Sequence, residues 1–200
     1  EKGFHPGVGW QRTTLHIIFD VKQDLRRKAR LVAGGHLVDV LDNAVYASTV
    51  KSISVQLLHM IAHKADLKQL CGDITNAFVT AYTNEKIFCI AGLEFGEQNV
   101  GKTIIIRKAL YGLASSAERF HTHLANTLHS FDFKPTRFDN DVWIRADDAN
   151  NCYEYIYTHV DDFMIVSKDP ECVMKQIETV FEVKDSSKGP PDYYLGNDYK

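Results

Sequence analysis

One segment limits the folds open to this chain more than any other. From Tyr153 to Ser167, YEYIYTHVDDFMIVS places two apolar β-type runs on either side of Asp161 and Asp162. A hairpin forms as well with Asn-Gly at its turn, whereas neighbouring carboxylates repel each other. Two readings stand side by side: a pair of exposed turn acids, or ligands for a cation. Magnesium takes oxygen ligands, and a two-metal site needs carboxylates converging from separate strands. Asp73 is the candidate partner, because LKQLCGDITNAF reads as a short strand ending in that acid.

The remaining periodicities place a sheet and helices around this hairpin. TLHIIFDVKQDLRRKARLVAGG reads as two β-type runs around the polar QDLRR turn, ended by Gly34 and Gly35. VKSISVQLLHMIAHKADL carries Ile53, Leu57, Met60 and Ile61 at helical spacing, which predicts an amphipathic helix with that face inward. His59 and His63 in it have the spacing of a zinc-protease helix. Met60 stands where the general-base glutamate would be and no third ligand is evident, so they read as partly buried or surface histidines. After strands at IFCI and TIIIRKAL, SSAERFHTHLANTLHSF puts Phe120, Leu124, Leu128 and Phe131 on one core stripe, with Ser115 or Ser116 as cap. DPECVMKQIETVF has Asp169 as N-cap, Pro170 at the first helical position, and Val173, Met174, Ile177, Val180 and Phe181 as its apolar face. From Leu70 onward the order is strand, excursion, helix, hairpin, helix, strand. That order predicts an α+β fold built on a split β-α-β antiparallel sheet with helices on one face.

GEQNVGKT, Gly96–Thr103, fits the phosphate-loop pattern G-x-x-x-x-G-K-[ST] and raises the alternative of a P-loop NTPase. The setting argues against it. Thr103, Ile104, Ile105 and Ile106 form a β-branched run, so no helix N-terminus would face a phosphate. The segment reads as a glycine-rich hairpin tip.

The 200 residues carry a net charge of −3, which by itself implies no nucleic acid, but the charge is uneven. Residues 1–36 hold seven Lys/Arg against three acids, a basic arm, whereas residues 131–200 hold eight bases against fifteen acids, 8 − 15 = −7. Cys71, Cys89, Cys152 and Cys172 are widely spaced and read as reduced thiols of an intracellular protein. With no run of eighteen apolar residues and no signal pattern at the N-terminus, the expectation is a soluble chain with no membrane partner.

Five blocks occur in order: KARLVAGGH, GDITNAF, KALYGLASS, HVDD and YYLGNDYK. Their order and spacing resemble those of copia-type LTR retrotransposon reverse transcriptases, across nearly the whole chain. The resemblance implies a polymerase right hand: residues 1–66 as a fingers-like region with the basic hairpin and a helix, and 67–200 as palm with inserted fingers hairpins at about 79–110. YLGNDYK would be a strand, and the thumb and ribonuclease H segments of the family would lie outside this chain. The activity implied is RNA-directed DNA synthesis with two Mg2+ ions, Mn2+ being able to substitute. Asp73, Asp161 and Asp162 would be the catalytic carboxylates and metal ligands, joined by the backbone carbonyl of Ile74. Phe78 would pack beneath the sugar and reject a ribose 2′ hydroxyl, and Lys28, Arg30, Tyr111 and Gly112 would bind the nucleotide. Ser115, Ser116, His159 and Val160 would contact template or primer. The partners implied are dNTPs, an RNA or DNA template with primer, and other segments of a Pol polyprotein, in a cytoplasmic particle and the nucleus if the element is active. Three departures bear on activity: His159 where the family has Tyr, Ala114 where a basic residue is usual, and Phe120 where Trp is frequent. An inactive remnant of the same fold that only binds nucleic acid is therefore the second reading.

Overall fold

The computed structural model describes residues 2–21, 25, 27–39, 47–191, 193–194 and 197–198. In chain order its elements are β1 (Gln11–Arg12), β2 (Leu15–Val21), β3 (Arg27–Ala33), α1 (Ser52–Lys64), β4 (Lys68–Asp73), α2 (Ala77–Thr80), β5 (Tyr82–Ile90) and β6 (Thr103–Lys108). They continue with α3 (Ser116–Ser130), β7 (Lys134–Pro135), β8 (Val142–Asp147), β9 (Cys152–His159), β10 (Asp162–Ser167), α4 (Pro170–Glu178), β11 (Tyr193–Tyr194) and β12 (Asn197–Asp198). This is a mixed α+β fold in two compact units, Glu1–Tyr46 with Phe78–Phe120, and Ala47–Ala77 with His121–Lys200.

In the first unit β2 and β3 pair antiparallel, from Leu15 opposite Ala33 to Val21 opposite Arg27. Most of the QDLRR turn lies outside the described residues. A second sheet has the order β1-β5-β6. Ala33, Val38, Ile87, Ile106 and Leu113 form the core cluster of this unit. Two sequence blocks are locked together by backbone: the Ala33 amide donates to Tyr111 O at 2.8 Å. A Cβ on Gly112, whose φ is +91°, would lie 2.0 Å from Ala33 O, and one on Gly35 would lie 1.9 Å from Gly112 O. Only glycine permits that approach.

Thr103 opens a strand, as its β-branched run requires, and the residues before it form a 3-10 turn at Glu97–Asn99 followed by a turn at Val100 and Gly101. The Lys102 ammonium donates to Asn99 Oδ1 at 2.9 Å. The helix a phosphate loop needs is a strand here, which removes the P-loop alternative.

In the second unit five antiparallel strands run in the order β4-β10-β9-β8-β7. β8 escaped the sequence reading, because VWIRAD is short and two of its six residues are charged. The expected placement of helices on one face is corrected. Val55 and Leu58 of α1 pack with Val142, Tyr157 and Met164, whereas α3 and α4 meet the opposite face. There the His129 ring sits edge-on 5.1 Å from Trp143, and Arg145 of β8 donates to Gln176 of α4. Side chains alternate along a strand, so Tyr157 and its neighbour Ile156, which lies opposite Trp143, face opposite ways.

The buried face of α1 is also corrected. Ile53, Leu57 and Met60 are exposed, while Ser54, Val55, Leu58 and Ala62 are buried and Ile61 is partly packed. The helix is apolar over much of its circumference, and the side carrying Ser54 and Ala62 lets its backbone approach the sheet. His59 is half-buried against the Tyr157 ring and His63 is exposed. Phe120, Leu124 and Leu128 of α3 are buried. Asp169 caps α4 through its bond from the Cys172 amide, but Val180, assigned to the apolar face, is 47% exposed because α4 ends at Glu178. The stretch read as one strand at YLGNDYK holds two short strands paired with each other, Tyr193 opposite Asp198 and Tyr194 opposite Asn197. The four cysteines are free thiols, and no helix among the described residues is long and apolar enough to cross a membrane.

Candidate functional site

The acid that ends β4 and the acid that opens β10 are cross-strand partners, Asp73 opposite Asp162. Partners on an antiparallel ladder share a face, so these two carboxylates sit side by side at one end of the sheet. Asp161 occupies the turn between β9 and β10, and its carbonyl accepts from the Ile74 amide at 2.9 Å, which ties that turn to the end of β4. Val160, also in the turn, has φ +58°, a left-handed conformation that a β-branched residue adopts at a cost of about 1–3 kcal/mol. His159 closes the hairpin opposite Asp162.

Beneath the site the β4–β10 pair is built for close approach. A Cβ on Gly72 would meet the Phe163 ring at 2.5 Å, so the glycine before Asp73 makes room for the aromatic beside Asp162. The Asp162 carboxyl is pushed up to about 6, first by burial and then by the charges of Asp161 and Asp73, with Lys184 and His159 opposing.

Lys184 was not anticipated. Its ammonium reaches both carboxylate oxygens of Asp73 at 2.5 Å. The two residues lie 111 positions apart, and nothing in local periodicity links them. The segment after α4 runs beside β4: Lys184 N donates to Asp73 O at 3.0 Å, Thr75 N to Glu182 O at 2.8 Å and Cys71 N to Gly189 O at 2.8 Å. The Ser187 hydroxyl accepts from Asp73 N and donates to Lys184 O.

Among the described residues no three His, Cys, Asp or Glu side chains are grouped as they would be around a metal ion. The donor set nevertheless fits a hard divalent cation. Its oxygens would come from the carboxylates of Asp73 at the end of β4, Asp162 at the start of β10 and Asp161 in the turn between β9 and β10; Asp73 already has a cationic partner in Lys184, and burial followed by the neighbouring carboxylates raises the Asp162 carboxyl.

The residues expected at the nucleotide gather in the first unit. Lys28 and Arg30 lie two apart on β3 and so share a face. The Arg30 guanidinium is 5.9 Å from the centre of the Tyr111 ring, and it pairs with Asp20 at 3.6 Å. Phe78 lies 4.7 Å from Tyr111 and 6.3 Å from Phe120, centre to centre. Gly112 is the left-handed residue pressed on Ala33. Ser115 and Ser116 are each 1% exposed; Ser116 donates to Leu110 O at 2.6 Å and the Ser115 hydroxyl is buried without a hydrogen-bond partner, so neither offers an exposed hydroxyl.

An acid-ended strand thus lies beside a hairpin with paired aspartates, and comparison with known proteins gives the family. The model of the family described as reverse transcriptase (RNA-dependent DNA polymerase) matches residues 9–199, and the chain belongs to that family. It is a copia-type reverse transcriptase region, similar to the retrovirus-related Pol polyprotein from transposon RE1 of Arabidopsis thaliana. The two are 27% identical over 183 residues, 88% of this chain and 12% of the relative. Reverse transcriptases generally use divalent metals.

Proposed function

We propose that this chain is the RNA-directed DNA polymerase domain of a copia-type retrotransposon, with residues 1–66 as a fingers-like region and 67–200 as palm with inserted fingers hairpins at about 79–110. The observation that carries the reading is Asp73 standing opposite Asp162 with Asp161 in the adjoining turn. Asp73, Asp161 and Asp162, with the carbonyl of Ile74, would hold two Mg2+ ions. Ions held there would supply Lewis acidity for a primer 3′ hydroxyl and positive charge opposite the triphosphate and the departing pyrophosphate.

The chain's own residues supply position and charge. The ladder and the bond from Ile74 to Asp161 hold the carboxylates on a rigid sheet end, so little reorganisation is needed as charge develops. The strained turn at Val160 fixes the presentation of Asp161. His159 and Val160 face the role of primer contact, and Ser115 and Ser116 that of shaping the template turn. Lys28 and Arg30 are assigned to the triphosphate, for which a guanidinium suits phosphate oxygens, and Phe78, braced by Tyr111 and Phe120, to the sugar. Partners under this reading are dNTPs, a primed template and other segments of a Pol polyprotein.

The second reading, a remnant that binds nucleic acid without synthesis, is favoured by His159 and Ala114. Primer extension on poly(rA)·oligo(dT) with dTTP separates the two. Magnesium-dependent extension lost in Asp161→Asn supports the polymerase, whereas no extension by a folded chain, or extension unchanged in that variant, rules it out for this chain.

A further inference from the structure

The contact between Lys184 and Asp73 differs from an ordinary surface ion pair. Two charge-assisted bonds use both oxygens of one carboxylate, and the backbone of the same lysine is bonded to the backbone of the same aspartate. Ser187 ties both residues a second time, from Asp73 N and to Lys184 O. The lysine is thus held over Asp73 by its own backbone as well as by charge. Lys188, the next cation along, is occupied by Glu178 and Asp185. Among the described residues, the carboxylates of Asp73, Asp161 and Asp162 at this end of the sheet are faced by the Lys184 ammonium on Asp73 and by His159 opposite Asp162.

A divalent ion ligated by Asp73 needs the oxygens that Lys184 now holds. We propose that Lys184 is a tethered counter-ion of Asp73 that competes with divalent cations, so that cation entry is coupled to release of the lysine and Lys184 sets the metal affinity of the site. The inference rests on the reading of Asp73, Asp161 and Asp162 as metal ligands and adds a regulator of that site. Without a cation the ammonium relieves repulsion among the carboxylates. With one it becomes a surplus positive charge and leaves. Lys184 is here a positioning residue, acting on the metal through Asp73.

The test uses Mn2+ as probe, titrated calorimetrically into the chelator-treated chain, in wild type, Lys184→Gln, Lys184→Arg and Asp161→Asn. Removing the charge is expected to tighten Mn2+ binding on the order of tenfold, the loss of a doubly bonded, partly exposed ion pair, while the arginine variant stays near wild type. Lys184→Gln is also expected to melt lower than wild type in chelator and to recover more on adding Mn2+. Equal Mn2+ affinity in wild type and Lys184→Gln, with binding lost in Asp161→Asn, overturns the role of Lys184 and leaves the metal site standing. No Asp161-dependent Mn2+ binding in any chain overturns both. Should Lys184→Gln fail to fold, the unmutated chain still decides: acylation of Lys184, read by mass spectrometry, should increase when Mn2+ is added, and unchanged reactivity with Mn2+ bound rejects the proposal.

Discussion

Asp162 faces Asp73 across the β4–β10 ladder, and the Asp162 carboxyl, ordinarily near 3.8, is raised to about 6 by burial and by the charges of Asp161 and Asp73. The folded state therefore holds this proton more tightly than the unfolded chain does. The contribution of Asp162 to stability falls as pH climbs from about 4 to about 6, and its full cost is present above that range. Asp162→Asn removes the charge and is expected to raise stability at pH 7 by about 1–2 kcal/mol, with little change at pH 4. Urea unfolding at the two pH values checks this, and an equal gain at both would show that charge is not the cause.

Gly35 and Gly112 hold the end of β3 against the Tyr111 turn with no room for a methyl group. Gly35→Ala and Gly112→Ala should each destabilise the chain by on the order of 3 kcal/mol, since the neighbours met are backbone atoms that do not swing aside. Gly101 has φ +80° but nothing nearer than the Lys2 side chain at 3.8 Å, so Gly101→Ala should cost less, from backbone strain alone. Thermal melts of the three variants give the ranking.

Asp139, 4% exposed, accepts from the Ser54 hydroxyl at 2.5 Å and from the Lys51 amide at 3.0 Å, so a carboxylate far along the chain caps the start of α1. Negative charge there also meets the positive end of the helix dipole. Asp139→Ala is expected to cost about 2 kcal/mol and to speed amide hydrogen exchange in the first turn of α1. Ser54→Ala should cost less, because the amide bond survives.

Arg145 donates to Glu154 from Nε at 2.9 Å and from Nη2 at 2.6 Å, and its guanidinium covers the Phe133 ring at 4.2 Å. Glu154 is 7% exposed, so Arg145→Met strands a buried carboxylate and should cost about 3 kcal/mol. Replacing both residues by apolar ones should recover much of that loss. A double-mutant cycle by chemical denaturation measures the difference.

Much of the fold was legible in the residues because strand and helix periods are local. Apolar runs on either side of Asp161 and Asp162 located β9 and β10, LKQLCGD marked a short strand ending in Asp73, and Asp169 before Pro170 marked the start of α4. The α1 face was misassigned for a definite reason: Ile53, Leu57 and Met60 make as regular a stripe as Val55, Leu58 and Ala62. Periodicity reports that a stripe exists and is silent on which of two the sheet will cover.

By itself the sequence determined most of the order of strands and helices, though not β8, along with the acid that ends β4, the paired acids of the hairpin and membership of the reverse transcriptase family. All of these follow from short stretches whose backbone preferences and spacing are local. Tertiary structure alone decided the helices on both faces of the sheet, the Gly35–Gly112 approach, the cap from Asp139 and the hold of Lys184 on Asp73. These join residues far apart in the chain, and their energies arise only when the packed elements bring backbone and charge within bonding distance.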